Sequence, residues 1–319
     1  MPRIVISTSS FAPESLAAAS RLVEAGFRLE TNPWRRRLGE AEIAELLAGD
    51  AVGLIAGVEP LTALVFDSAS ALRVVSRCGV GLDSVDLEAA RRHGIRVSNT
   101  PDAPTQPVAE LAVAHMLDLL RGVSRCDRQV RAGQWQPRMG GLLQGRVVGL
   151  LGFGRIGRRV AGLLAGFGAS LLVSDPALSE PSERLPGGAS VVGLDRLLRE
   201  SDIVSLHVPY GSGTHHIIDR EALSLMKPTA LLVNVSRGGL IDEVALHEAL
   251  VSERLAGAGL DVFESEPYSG PLAALDSVLI TAHMGSYAQE ARVAMEREAV
   301  ANLIAGLEET GLLPRQGAR

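Results

Sequence analysis

Aromatic side chains are scarce in this chain, only 3% of 319 residues, and cysteine occurs twice, at Cys78 and Cys126. Two cysteines without CxxC spacing give neither a disulfide framework nor a zinc site, so no metal is expected. A reducing, cytoplasmic setting follows from the same scarcity. Basic residues are not in surplus: 31 Lys and Arg stand against 37 Asp and Glu, a formal net charge of −6. Nucleic acid is therefore not expected as a partner, because phosphate binding shows as a basic excess. No stretch approaches eighteen uninterrupted apolar residues, which excludes a spanning helix and any membrane partner of that kind. The opening "MPRIVISTSSFAPES" lacks the apolar core of a signal peptide.

Glycine is plentiful, 34 residues, in a chain that is 46% hydrophobic. That balance suits an α/β protein with many strand-to-helix turns, and the length favours two domains. "RIVIST", "AVGLIAG", "LRVVS" and "IRVSNT" have the near-continuous apolar character of strands. Helical stretches such as "PESLAAASRLVEAG" and "EAEIAELLAGD" separate them, which implies a parallel sheet covered on both faces. The segment from Pro107 to Arg131 reads as one long helix, entered through "NTPDAPTQP", whose three prolines mark a linker. A second alternation follows in "GRVVGLLGFG", "ASLLVSDP", "DIVSLHVP", "ALLVNVS", "GAGLDVF" and "SVLITAH". Six strands are the number expected of a dinucleotide-binding sheet. The last stretch, from Ser286 onward, has helical spacing and is expected to return to the first domain. The expected architecture is two Rossmann-like domains with parallel sheets, residues 99–286 being inserted into a domain of 1–98 plus 287–319.

"VVGLLGFGRIGRRVAGLL" carries Gly152, Gly154 and Gly157 in GxGxxG spacing between an apolar strand and an amphipathic helix. Gly152 permits the tight turn, Gly154 lets backbone approach a pyrophosphate, and Gly157 lets helix pack close to sheet. Free N–H groups at the helix start then face the anion. Asp175 closes the next strand, "LLVSDP", eighteen positions beyond Gly157. A carboxylate there accepts from ribose hydroxyls and repels a 2′-phosphate, so NAD is the expected cofactor.

With these stretches in place, the sequence resembles the D-isomer-specific 2-hydroxyacid dehydrogenase family, most closely its short 3-phosphoglycerate dehydrogenase branch. The matching wording is "VVSRCGVGLDSVDLEAARRHGI", "VAELAV", "GLLGFGRIGRRVA", "LLVNVSRGGLIDEVAL", "GAGLDVFESEP" and "TAHMG". The resemblance implies an NAD-dependent homodimer, with the inserted domain holding the cofactor and the other holding a 2-hydroxy or 2-oxo acid. Its catalytic residues fall on Arg237 of "NVSRGG", Glu266 of "FESEP" and His283 of "TAHMG". Arginine offers a planar fork to a carboxylate, and a neutral histidine takes the hydroxyl proton as hydride leaves. Glu266 at the far ring nitrogen would fix the tautomer and favour the imidazolium. Glu264 is expected to be its solvated neighbour. Further cofactor contacts are implied at Arg155, Ile156, His207, Val208, Pro209, Val235, Asp261 and Gly285.

On the substrate side the resemblance implies backbone N–H donors at Val80 and Gly81, with Arg77 beside the substrate and Arg138 reaching across a dimer. It implies a phosphorylated or phosphonate substrate such as 3-phosphoglycerate. "LIAGVEP" departs from the branch, placing Gly57 and Glu59 where a basic side chain would meet the phosphate. That departure favours the alternative of small unphosphorylated acids such as glyoxylate, hydroxypyruvate or pyruvate. A non-catalytic NAD-sensing protein is a third reading, and no serine-sensing regulatory domain is expected.

Overall fold

In a computed structural model the chain is described for residues 1–9, 11–178 and 185–315. It divides into two compact units, Met1–Pro104 with the chain from Ser286 onward, and Thr105–Gly285. The division falls after Pro104, whereas the sequence places it after residue 98. The last strand of the first sheet ends at Asn99, and the proline-rich linker behind it stays with that unit.

The first unit runs β1 (Arg3–Ile6), α1 (Pro13–Ala18), α2 (Ser20–Glu24), β2 (Arg28–Thr31), α3 (Glu40–Leu47), β3 (Ala51–Ala56), α4 (Ala63–Ser68), β4 (Val74–Arg77), α5 (Leu87–Arg92) and β5 (Arg96–Asn99). All five strands are parallel, in the order β2-β1-β3-β4-β5. β3, "AVGLIA", is buried along nearly its whole length because helices cover both faces. Leu47, Leu54, Phe66 and Leu72 form the core on one face, while Ile4, Leu22, Ile55 and Val74 form it on the other. Each such fully buried side chain contributes about 1.5–3 kcal/mol. β2 escapes sequence reading for a physical reason: it is an edge strand, "RLET", with no fully buried residue.

The second unit begins with α6 (Thr105–Arg121) and α7 (Val123–Arg131), so the long helix expected over 107–131 is two. Gly122 breaks it in the left-handed region at φ 64°. The Asp118 carboxylate then caps the new helix, accepting from Ser124 N at 2.6 Å and Ser124 Oγ at 2.7 Å. The chain continues through β6 (Val147–Leu151), α8 (Arg155–Ala165), β7 (Ser170–Ser174), β8 (Ser190–Val191), α9 (Leu194–Glu200) and β9 (Ile203–Leu206). It finishes with α10 (Arg220–Leu225), β10 (Leu231–Asn234), α11 (Glu243–Val251), β11 (Gly257–Leu260) and β12 (Val278–Ile280). Aspartates start the helices where an N-cap is needed: Asp219 accepts from Ala222 N and Asp242 from Ala245 N.

Seven parallel strands form this sheet, ordered β12-β11-β10-β9-β6-β7-β8, against the six expected. The extra one is β8, a two-residue edge strand too short to carry a sequence pattern. From β8 to β11 the order matches the 3-2-1-4-5-6 arrangement of dinucleotide-binding sheets, with the switch point between β6 and β9. α12 (Gln289–Glu309) then returns to the first unit, burying Met295, Ala299, Leu303 and Leu307 against its sheet.

Candidate functional site

The chemistry-bearing residues of the second unit sit at the carboxyl ends of its strands. At the end of β6, Gly152 has φ 93°, and a Cβ there would lie 2.6 Å from the His207 carbonyl oxygen. A Cβ at Gly157 would lie 2.2 Å from the Gly152 oxygen, so both glycines are required by the close turn. Nothing stands within 4 Å of the Cβ position at Gly154, which leaves that backbone open at the start of α8. Arg155 is exposed there and Ile156 half-buried. Asp175 accepts from Phe153 N at 2.7 Å and Ala177 N at 2.8 Å, which ties the end of β7 to the glycine turn. A carboxylate has about four acceptor positions, so capacity for ribose hydroxyls remains.

His207 follows β9. Its Nε2 bonds Ser205 Oγ at 3.0 Å, while its buried Nδ1 has no partner among the described residues. Burial pushes this imidazole down to about 4, so it is neutral near pH 7. Val208 is buried and its carbonyl accepts from Ser236 Oγ at 2.8 Å; Pro209 is exposed. The open Gly154 backbone, the helix start and the unpartnered ring nitrogen together fit a dinucleotide.

Arg237 ends the loop behind β10. The buried Asn234 side chain builds that loop, donating to the Arg237 carbonyl at 2.8 Å and accepting from Ser236 N at 3.0 Å. Sequence reading does not pick out Asn234, although a buried amide inside the apolar run "LLVNV" is its signal. Arg237 Nη1 donates to the Ser236 carbonyl at 2.7 Å. A Cβ at Gly238 would lie 1.9 Å from the Phe263 carbonyl carbon, so only glycine lets this loop touch the one after β11. Val235 is buried beneath it.

That neighbouring loop carries Glu266, whose Oε1 accepts from Phe263 N at 3.1 Å. Its Oε2 lies 2.8 Å from His283 Nδ1. An ionised carboxylate can only accept, so Nδ1 carries the proton and a neutral ring keeps its lone pair on Nε2. His283 itself is held at φ 50°, a strained backbone for a residue with a side chain. Asp261 holds it there. The Asp261 carbonyl accepts from His283 N at 2.7 Å. The Asp261 carboxylate accepts from Thr281 Oγ1 at 2.6 Å and from Met284 N and Gly285 N at 2.8 Å each. Its first task is thus to clamp the histidine loop, a task the sequence does not reveal. Glu264 is exposed, as expected, and it also pairs with His216 Nε2, while its own N–H donates to Glu243 Oε1 at 2.7 Å.

In the first unit, Arg77 closes β4 and its Nη1 donates to the Cys78 carbonyl. The guanidinium folds over Gly79, whose φ of 141° only glycine adopts easily. Gly79 N donates to Thr100 Oγ1 at 2.7 Å, and the Val80 carbonyl accepts from Asn99 Nδ2 at 2.7 Å. Nothing among the described residues accepts from the N–H groups of Val80 and Gly81. Burial pushes the Cys78 thiol up to about 11, so the loop carries no thiolate. Arg138 lies elsewhere in the second unit, lining a cavity with Arg121, Arg125 and Arg128 rather than with Arg237, Glu266 or His283.

Among the described residues, no helix is long and apolar enough to cross a membrane. A D-isomer specific 2-hydroxyacid dehydrogenase NAD-binding domain matches residues 113–285. A hydroxypyruvate reductase of Thermotoga maritima is 39% identical over 80% of this chain and 84% of its own length. A D-3-phosphoglycerate dehydrogenase of Methanocaldococcus jannaschii is 38% identical over 81% of this chain and 50% of its own length. A solved structure from Thermus thermophilus superposes with a TM-score of 0.87 at 38% identity, covering 96% of this chain and 97% of that one. The glycine turn, the paired acid and histidine, and these matches lead to one conclusion: the chain belongs to the D-isomer-specific 2-hydroxyacid dehydrogenases.

Proposed function

We propose that this dehydrogenase interconverts a small D-2-hydroxy acid and its 2-oxo acid with NAD, using His283 as proton carrier. The observation that carries this reading is the 2.8 Å bond between Glu266 Oε2 and His283 Nδ1. With Nδ1 committed to the carboxylate, Nε2 takes the C2 hydroxyl proton in oxidation and returns it in reduction. A bound nicotinamide accepts or supplies the hydride. Arg237 takes the substrate carboxylate and polarises the C2 carbonyl through its donor fork. On the first unit, the Val80 and Gly81 N–H groups are donors of the kind that holds an acid's carboxylate, in a loop over which Arg77 folds. Gly152, Gly154, Arg155, Ile156 and Gly157 cradle the pyrophosphate. Asp175 selects NAD over NADP by repelling a 2′-phosphate. A relative named hydroxypyruvate reductase supports a small 2-oxo acid.

The protein is proposed to act as a cytoplasmic homodimer. In support, α7 buries no residue of its own, and Trp135 and Met139 beyond it are 84% and 94% exposed. Both cysteines are free thiols, as a reducing compartment keeps them.

The test is NADH consumption with a panel of 2-oxo acids, beside His283→Ala and Arg237→Ala. Each substitution is expected to lower kcat by on the order of 10³-fold. Turnover that survives both would remove the mechanism. Light scattering on the same preparation should give twice the mass of one chain; a monomer would remove the dimer.

A further inference from the structure

The first sheet has its own switch point. In the order β2-β1-β3-β4-β5, the connections from β1 and β3 leave in opposite directions, so a crevice opens at their carboxyl ends. Open parallel sheets bind ligands in that crevice. Ser7 directly follows β1 and Gly57 directly follows β3. The Val80–Gly81 loop lies alongside on the next strand, because Ala56 pairs with Arg77 and Cys78 N donates to the Ala56 carbonyl at 2.8 Å.

A carboxylate occupies this crevice. Glu59 is only 2% exposed, and its Oε1 accepts from Ser7 Oγ and from Gly57 N, the latter at 2.9 Å. Among the described residues no lysine or arginine pairs with it, and Oε2 takes no hydrogen bond. A Cβ at Gly57 would lie 2.8 Å from that Oε2, so the acid fills the space above the end of β3. A buried carboxylate without a cation is costly to keep. Its two donors hold it in one orientation and leave an acceptor for a hydroxyl.

We propose that Glu59, positioned by Ser7 and Gly57, is the specificity-determining residue that rejects a phosphorylated substrate and favours a 2-oxo acid with a neutral hydroxyl at C3. The inference rests on the dehydrogenase reading above and names its substrate class. A phosphate dianion at the switch point meets like charge at short range in a poorly screened place, whereas a hydroxyl donates to Oε2. Pyruvate, lacking the hydroxyl, leaves that acceptor unmet.

The test compares kcat/KM for hydroxypyruvate, pyruvate and 3-phosphohydroxypyruvate in the wild type and in Glu59→Gln. The wild type is expected to favour hydroxypyruvate over the phosphorylated acid by at least about a hundredfold. In Glu59→Gln, which keeps the shape and removes the charge, that ratio should fall at least about tenfold. An unchanged ratio in a folded variant overturns the proposal, as does a wild type that prefers the phosphorylated acid. Should Glu59→Gln fail to fold, the wild-type ratio decides alone, with inhibition by D-glycerate and D-3-phosphoglycerate as its check: stronger inhibition by D-glycerate upholds it, the reverse overturns it. No NADH oxidation with any 2-oxo acid would instead strike down the dehydrogenase reading and this one with it.

Discussion

The two sheets carry different kinds of information at their carboxyl edges. On the second sheet, loop after loop is locked by its neighbour: Gly238 against Phe263, Glu266 on His283, and Asp261 on the three N–H or O–H groups around residues 281–285. These contacts tie its loops together and restrict which residue types can stand there. On the first sheet, the edge holds backbone donors at Val80 and Gly81 and a lone buried acid at Glu59. In the proposed scheme, exchanging the Glu59 side chain would change the substrate without disturbing the proton relay. The difference teaches that turnover and selectivity can be altered separately here.

Beyond removal of the Arg237 and His283 side chains themselves, the largest effect should come at Glu266, the support of the proposed proton carrier. Glu266→Gln keeps the shape but cannot hold an imidazolium, so kcat should fall by about 100-fold, with KM little changed. Steady-state kinetics across pH reads both, and a lesion confined to KM would erase the contrast between the edges.

The next effect is on stability. His207 is neutral in the folded protein because burial holds it down to about 4, against about 6.5 in the unfolded chain. Its folded-state value is depressed, so its share of stability is intact above pH 6.5 and is lost as pH falls toward 4. At pH 5 that loss is about 2 kcal/mol. Urea unfolding at pH 7.5 and 5.0 should show the wild type losing about that much more than His207→Asn. Equal losses would mean that the ring titrates normally.

The smallest effect sharpens the first edge. Gly79→Ala forces a side chain onto a φ of 141° and against the Arg77 guanidinium, displacing the Val80–Gly81 donors. KM for the 2-oxo acid should rise by about tenfold, with kcat moving less. A drop in kcat alone would place chemistry on an edge that has none in the proposed scheme.

Much of this is open to a reader of the sequence. The apolar runs announce the central strands, and Gly152, Gly154 and Gly157 announce the cofactor turn, because close backbone approach restricts residue type wherever it occurs. β2 and β8 escape such a reader because an edge strand needs no apolar run. The break at Gly122 escapes because Asp118 caps α7 from within the preceding helix, a pattern that also reads as continuous helix.

The sequence by itself determined the parallel sheets and the glycine turn, since local pattern suffices for these, while Arg237, Glu266 and His283 stand out only through the resemblance of their motifs to a known family. Tertiary structure brings Glu266 onto His283 across 17 residues of chain, as the resemblance implied, and it alone decided that Asp261 clamps the histidine loop and that Glu59 lies buried beside Ser7. Those are contacts between residues far apart in the chain. Their energy depends on distance and burial, which only the packed sheet edges set.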